Sequence, residues 1–127
     1  MKLKEVYYGR LALNELEKQD FPITTAFKIS KLISVTETDY ALTEKARTEL
    51  VEKYGEKKED SDVCEIVDNS KANLFVKEFM GLLEKDVDIN FEKLTLKELE
   101  GIKIKPISLK YLSGFIEEKG DDQCQDQ

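Results

Sequence analysis

Between Pro22 and Gly55 the chain runs for about thirty residues without a glycine or a further proline, and that run limits the fold more than any other feature. Phe21, preceding a proline, is kept out of the helical region, whereas Pro22 itself suits a first helical turn. A helix is therefore predicted from Pro22 to Tyr54. From Ala26 its apolar positions recur at spacings of mainly three and four: Ile29, Leu32, Ile33, Thr36, Tyr40, Leu42, Ala46, Leu50 and Tyr54. At 1.5 Å per residue such a helix is roughly 45 Å long, more than the width of a compact domain of this size. It must bend, overhang or pair with another chain. Threonine and alanine occupy stripe positions where a two-stranded coiled coil prefers leucine or isoleucine, so an antiparallel pairing with a neighbouring helix is the simpler arrangement.

The neighbour is predicted over Leu3 to Lys18, where Leu3, Val6, Leu13 and Leu16 share one helical stripe that Tyr7, Tyr8 and Leu11 widen. Gly9 within it costs about 1 kcal/mol relative to alanine unless something packs closely there, and a close helix crossing is expected at that point. Gly55 is placed as the stop of the second helix. The run Glu56-Lys57-Lys58-Glu59-Asp60-Ser61-Asp62 then reads as a charged, exposed loop.

Val63 to Val67 is short and β-branched, either a strand or an ordered connection. N-capping residues precede Ala72, Phe75, Phe79, Leu82 and Leu83, predicting a third amphipathic helix over residues 70–85. Val87, Ile89 and Phe91 alternate with Asp88, Asn90 and Glu92, as in a half-buried strand, and Ile102 and Ile104 alternate with Lys103 and Lys105 as a second. Between them Thr95-Leu96-Lys97-Glu98 is a capping-box pattern opening a short turn that Gly101 ends. After Pro106, Leu109, Leu112, Phe115 and Ile116 predict a last helix, capped by Ser108 and stopped near Gly120. The fold class is thus α+β, mostly α: one domain over residues 1–120, with a helical hairpin over 1–54, a helix and short strands over 63–119, and a mobile acidic tail over 121–127.

A chain of 127 residues can bury a core unaided, roughly two thirds of its unfolded surface. The apolar share of 40% against 37% charged residues implies a modest core under a heavily charged surface. No apolar run approaches the roughly 20 residues of a membrane helix. Met1 to Glu5 is followed by no apolar block, which predicts no secretory leader and a cytoplasmic location. A net charge of −7 opposes direct binding to nucleic-acid phosphates, although an acidic surface can imitate nucleic acid in a basic groove.

Histidine is absent, removing the usual acid–base residue near neutral pH and the partner of serine or cysteine nucleophiles. Cys64 and Cys124 form neither a C-x-x-C nor, without histidine, a finger-type zinc site, and they read as two unrelated thiols. No phosphate-binding glycine motif or nucleophile elbow occurs. No catalytic residue, metal or cofactor is expected. The candidate binding residues are Tyr7 and Tyr8, placed first among exposed tyrosines because adjacent helical residues cannot face one partner, and the acidic loop positions Glu56, Glu59, Asp60 and Asp62. The loop lacks a calcium-binding pattern and contains two lysines, which favours a merely solvated segment.

Several segments carry a resemblance: Phe21-Pro22-Ile23-Thr24-Thr25-Ala26-Phe27-Lys28-Ile29, Leu50-Val51-Glu52-Lys53-Tyr54-Gly55-Glu56-Lys57, Leu94-Thr95-Leu96-Lys97-Glu98-Leu99-Glu100 and Tyr111-Leu112-Ser113-Gly114-Phe115-Ile116-Glu117-Glu118. In wording and order they are similar to small proteins of bacteriophages and prophages from low-GC Gram-positive hosts. The resemblance implies a viral origin and no particular site. With it, the expectation is a non-enzymatic factor that binds a partner protein stoichiometrically in the host cytoplasm, with the long helix and its neighbour presenting a rigid face. The partner is a host defence or regulatory protein, as for an anti-CRISPR inhibitor, or a component of the virion under assembly. A small enzyme ranks last, and a homo-oligomer follows if the long helix leaves apolar surface uncovered.

Overall fold

The computed structural model describes residues 1–57 and 64–117, and the protein is mostly helical with a few two-residue strands. Helix α1 spans Leu3–Leu16 and α2 spans Ile23–Tyr54, 32 residues in length. They form the expected hairpin. Helix α1 begins where the Glu5 carboxylate accepts from the Lys2 amide at 2.8 Å, satisfying an amide that no helical carbonyl reaches. The same end is tied to a distant segment, because the Leu3 amide donates to the Lys85 carbonyl and the Val87 amide to the Met1 carbonyl.

Helix α2 has α1 packed along it within the chain, and α3 (Asn69–Leu83) packed against its C-terminal part. Its buried row is Thr25, Ile29, Leu32, Thr36 and Thr43. Leu42, expected on the stripe, is instead 59% exposed. At about 100° per residue Thr43 returns to within about 20° of Thr36, whereas Leu42 falls about 120° away. Thr36 and Thr43 are tolerated at buried positions because their hydroxyls donate back to their own helix, Thr36 to the Leu32 carbonyl at 2.8 Å and Thr43 to that of Asp39 at 2.7 Å.

The C-terminal part departs further from expectation. Helix α3 is capped by Asp68, whose carboxylate accepts from the Ser70 and Lys71 amides. Of the segment Val63 to Val67, Cys64–Glu65 is strand β2, antiparallel to β1 at Glu56–Lys57. Val87, Ile89 and Phe91 are half-buried while Asp88, Asn90 and Glu92 are exposed, yet this stretch and Ile102–Lys105 join no ladder. Period-two burial here marks extended chain laid over helices, which needs no strand partner. The ladder that does form is parallel, β3 (Leu94–Thr95) beside β4 (Ile116–Glu117).

The capping box is present: the Thr95 amide donates to Glu98 at 2.9 Å and the Glu98 amide to the Thr95 hydroxyl at 3.1 Å. The turn of Lys97–Leu99 follows, and Gly101, with φ of 83°, takes the left-handed conformation that ends it. The last helix, α4, is only Pro106–Tyr111, with Pro106 at its first turn; Ser108 is buried inside it and is not its cap. A single turn over Ser113–Phe115 then drives Phe115 into the core. Its ring supplies the close approach expected at Gly9: a methyl group there would stand 2.1 Å from Phe115 Cε2. The crossing is therefore of a side chain over a helix, with no second helix involved. The residues of the predicted tail, 121–127, lie outside those described.

Two apolar clusters result. One, around Leu13, Leu16, Leu32, Leu94, Leu112 and Phe115, locks the C-terminal part onto the hairpin. The other, around Leu3, Val6, Tyr7, Phe79 and Leu83, joins α3 to it.

Candidate functional site

The two tyrosines predicted as exposed are placed differently by the fold. Tyr7 is only 6% exposed, its ring stacked on Tyr40 at 5.6 Å and edge-on to Phe79 at 5.7 Å. Its partners come from α2 and α3, far away in sequence, so helical spacing within α1 does not reveal the burial. Tyr8 is half-buried and stacks on Tyr111 of α4 at 4.9 Å. Adjacent residues do face different elements, as their 100° separation requires, but neither is a free binding side chain.

The Tyr7 hydroxyl donates to the Glu44 carboxylate, which also accepts from Arg47 at 3.1 Å. Burial and the bond to Glu44 push the Tyr7 phenol well above its ordinary pKa, and the same burial raises Tyr40. The Arg47 guanidinium, reinforced by Tyr7, holds Glu44 below the usual carboxylate value against the opposing effect of burial. A phenol fixed in its protonated form cannot serve as a base. The seam fastens α1 to α2. Beside it Arg10, with only 11% of its side chain exposed, pairs with Glu37 at 2.7 Å, bonds Asn14 and the Ile33 carbonyl, and lies 5.0 Å from the Tyr40 ring centre. Every donor direction given to that charge is structural.

Of the acidic loop candidates, Glu56 is exposed on β1 opposite Glu65, and Glu59, Asp60 and Asp62 lie outside the described residues. Among the described residues no three or more side chains of histidine, cysteine, aspartate or glutamate are grouped to hold a metal, and no buried side-chain nitrogen or oxygen lacks a partner. Cys64 is half-buried, with its thiol donating to the Val51 carbonyl at 3.4 Å. Among the described residues no helix is long and apolar enough to cross a membrane.

The surface features that stand out lie at the closed end of the hairpin. Ile23 and Phe27, one turn apart at the start of α2, are 85% and 63% exposed. With Thr24, Lys28 and Glu92 they line a hollow of about 460 Å³. Lys28 is held there by Glu98 at 2.9 Å. Burial pushes the Glu98 carboxyl up, but Lys28 and the Thr95 amide together bring it below its ordinary value. A second cleft, about 320 Å³, lies between the end of α1 and the segment entering α4, lined by Glu15, Leu16, Gln19, Lys103, Ile104, Lys105 and Ser108. Neither surface was singled out from the sequence. The signal was present for the first, since Ile23 and Phe27 fall off the stripe of Ala26, Ile29, Leu32 and Ile33.

No family model, curated protein or solved structure matches the chain.

Proposed function

We propose that the protein acts by stoichiometric binding to a partner protein, as a phage- or prophage-encoded factor working without a cofactor in the host cytoplasm. The observation that carries this reading is the pair Ile23 and Phe27, two large apolar side chains left in solvent beside a hollow at the start of a rigid helix. Such side chains cost hydration free energy that burial against a partner recovers. Aromatic anchors set into pockets contribute disproportionately to protein interfaces.

A second reading, inhibition of a host defence complex by an acidic surface, draws support from α3 and the segments around it. There Glu65, Asp68, Glu78, Glu84, Asp86, Asp88 and Glu92 are all exposed, four of them paired with lysines of other segments: Glu78 with Lys53, Glu84 with Lys4, Asp86 with Lys2 and Glu92 with Lys28. A basic nucleic-acid groove is the complementary surface. Assembly of the virion through apolar contacts is the remaining member of the same class.

Affinity capture from host lysate with the wild type and with an Ile23→Asp/Phe27→Asp double variant tests the reading. One dominant protein retained near equimolar ratio by the wild type and lost by the variant is the expected result. Retention that weakens steeply with salt but ignores the double variant selects the acidic surface. Absence of any partner, together with catalytic turnover abolished by a single polar substitution, refutes binding altogether.

A further inference from the structure

The chain is acidic overall, but from Gly101 to Ile116 it has no acidic residue and three lysines, Lys103, Lys105 and Lys110. Lys103 and Lys105 are two apart on extended backbone, so both side chains leave the same face while Ile102 and Ile104 pack inward. The two lysines wall the cleft whose floor includes Leu16 and Ile104. The Gln19 side-chain amide holds the wall in place by donating to the Lys103 carbonyl at 2.7 Å. Neither ammonium has a carboxylate partner among the described residues. The one carboxylate in the lining, Glu15, lies 3.7 Å from Lys18, so the cleft keeps an excess of positive charge. Beside it α4 leaves Ile107 49% and Leu109 39% exposed.

We propose that this cleft and the adjoining outer face of α4 are a docking site for an acidic, apolar-containing peptide segment of a partner protein. The inference rests on the protein-binding reading and gives that partner a chemistry: carboxylates to meet Lys103 and Lys105, with an apolar side chain against Leu16 and Ile104. Charge complementarity selects this occupant. A nucleic-acid backbone finds a local positive spot within a chain whose net charge is −7, and the spot is lined in part by the apolar side chains of Leu16 and Ile104, where phosphates gain nothing. A carboxylate-bearing peptide uses both halves of the lining.

The test is a titration of the isotope-labelled full chain with a synthetic acidic peptide, Asp-Glu-Leu-Asp-Glu-Leu-Asp-Glu, followed by amide chemical shifts. Its amide counterpart, Asn-Gln-Leu-Asn-Gln-Leu-Asn-Gln, and a single-stranded oligonucleotide of equal charge are run in parallel. Saturable shifts confined to Gln19 and residues 103–110 are expected, for the acidic peptide alone. The Lys103→Glu/Lys105→Glu variant is expected to weaken binding about tenfold, whereas Lys71→Glu/Lys77→Glu, with the same net charge but altered on α3, leaves it within about twofold. All four lysines are exposed, and circular dichroism of each variant verifies folding. No saturable binding, shifts centred elsewhere, equal loss from both double variants, or equal affinity for the oligonucleotide overturns the proposal. Because the probe is synthetic, these outcomes stand apart from partner capture: a partner lost through Ile23 and Phe27 with no peptide bound refutes the cleft and leaves the binding reading intact.

Discussion

The two halves of α2 are secured by different physics. From Thr25 to Thr36 the helix buries Thr25, Ile29, Leu32 and Thr36 against α1 and the C-terminal part; beyond Thr36 only Thr43 is buried. The second half is held by partly buried Tyr40 and Leu50 against the cluster around Tyr7 and Phe79 and by side-chain polar links to the neighbouring helices: Tyr7 to Glu44, and both Tyr54 and Lys53 to Glu78 of α3. One helix of uniform regularity thus has an apolar anchor and a polar clasp. Exposed or partly exposed polar links are individually weak, so the C-terminal half is the part of the helix that opens at the lower free energy.

The largest effect is expected on the apolar side. Leu32, 1% exposed, sits in the cluster that joins hairpin and C-terminal part, and Leu32→Ala leaves a cavity costing about 2–5 kcal/mol. Tyr7→Phe keeps the ring and removes only the hydroxyl bond to Glu44, whose carboxylate retains Arg47, so it costs about 1 kcal/mol. Chemical denaturation of both variants measures the contrast. Equal losses would show that the clasp carries as much of the stability as the anchor.

Next in size is Gly9→Ala. The added methyl meets a ring that Leu112 and Phe91 confine, so overpacking costs about 1–3 kcal/mol although alanine is the better helix former. A stabilised variant would mean that the Phe115 ring swings aside freely. The glycine was legible in the sequence as a place of close approach; the approaching residue was not, because Phe115 lies over a hundred positions away and arrives from a turn that sequence periodicity continues as helix. The same limit explains the parallel pairing of Leu94–Thr95 with Ile116–Glu117. Patterns confined to a few residues, such as the three long helices and the Thr95–Glu98 capping box, were readable. Pairings between distant segments were not, and with them went the burial of Tyr7, whose surroundings are supplied by Tyr40 and Phe79.

Acid should loosen the clasp before the anchor. Glu44 has its folded pKa lowered, chiefly by Arg47; its contribution to stability is therefore present above the ordinary value of 4.5 and is lost as pH falls through the lower folded value. Glu78, also lowered, chiefly by the bond from Tyr54, adds a parallel contribution at the C-terminal end of α2. Glu44→Gln should make the fall in stability below pH 4.5 shallower, and addition of Glu78→Gln shallower again. Amide hydrogen exchange locates the effect: protection in residues 44–54 should decline with acid ahead of that in residues 25–36. Uniform decline along α2 would erase the distinction between the halves. At the alkaline end the sign reverses. Tyr7, raised by burial and by Glu44, stabilises fully below its ordinary value of 10.0 and ceases to do so as pH rises through the higher folded value.

The smallest effect is the sharpest check on which face of α2 is buried. Leu42 and Leu50 belong to the same stripe when the sequence is read by spacing, but Leu42 is 59% exposed while Leu50 packs against the cluster around Tyr7 and Phe79. Leu42→Glu exchanges one solvated side chain for another and should change stability by no more than about 0.5 kcal/mol. Leu50→Glu pushes a carboxylate toward apolar neighbours and should cost about 1–3 kcal/mol. If the stripe were read correctly from spacing, the two substitutions would be equally damaging. Light scattering adds a second outcome: an oligomer that Leu42→Glu dissociates without altering monomer stability would show that a further copy covers this exposed leucine, whereas an unchanged mass leaves Leu42 an ordinary solvated residue on the outer face of the clasp.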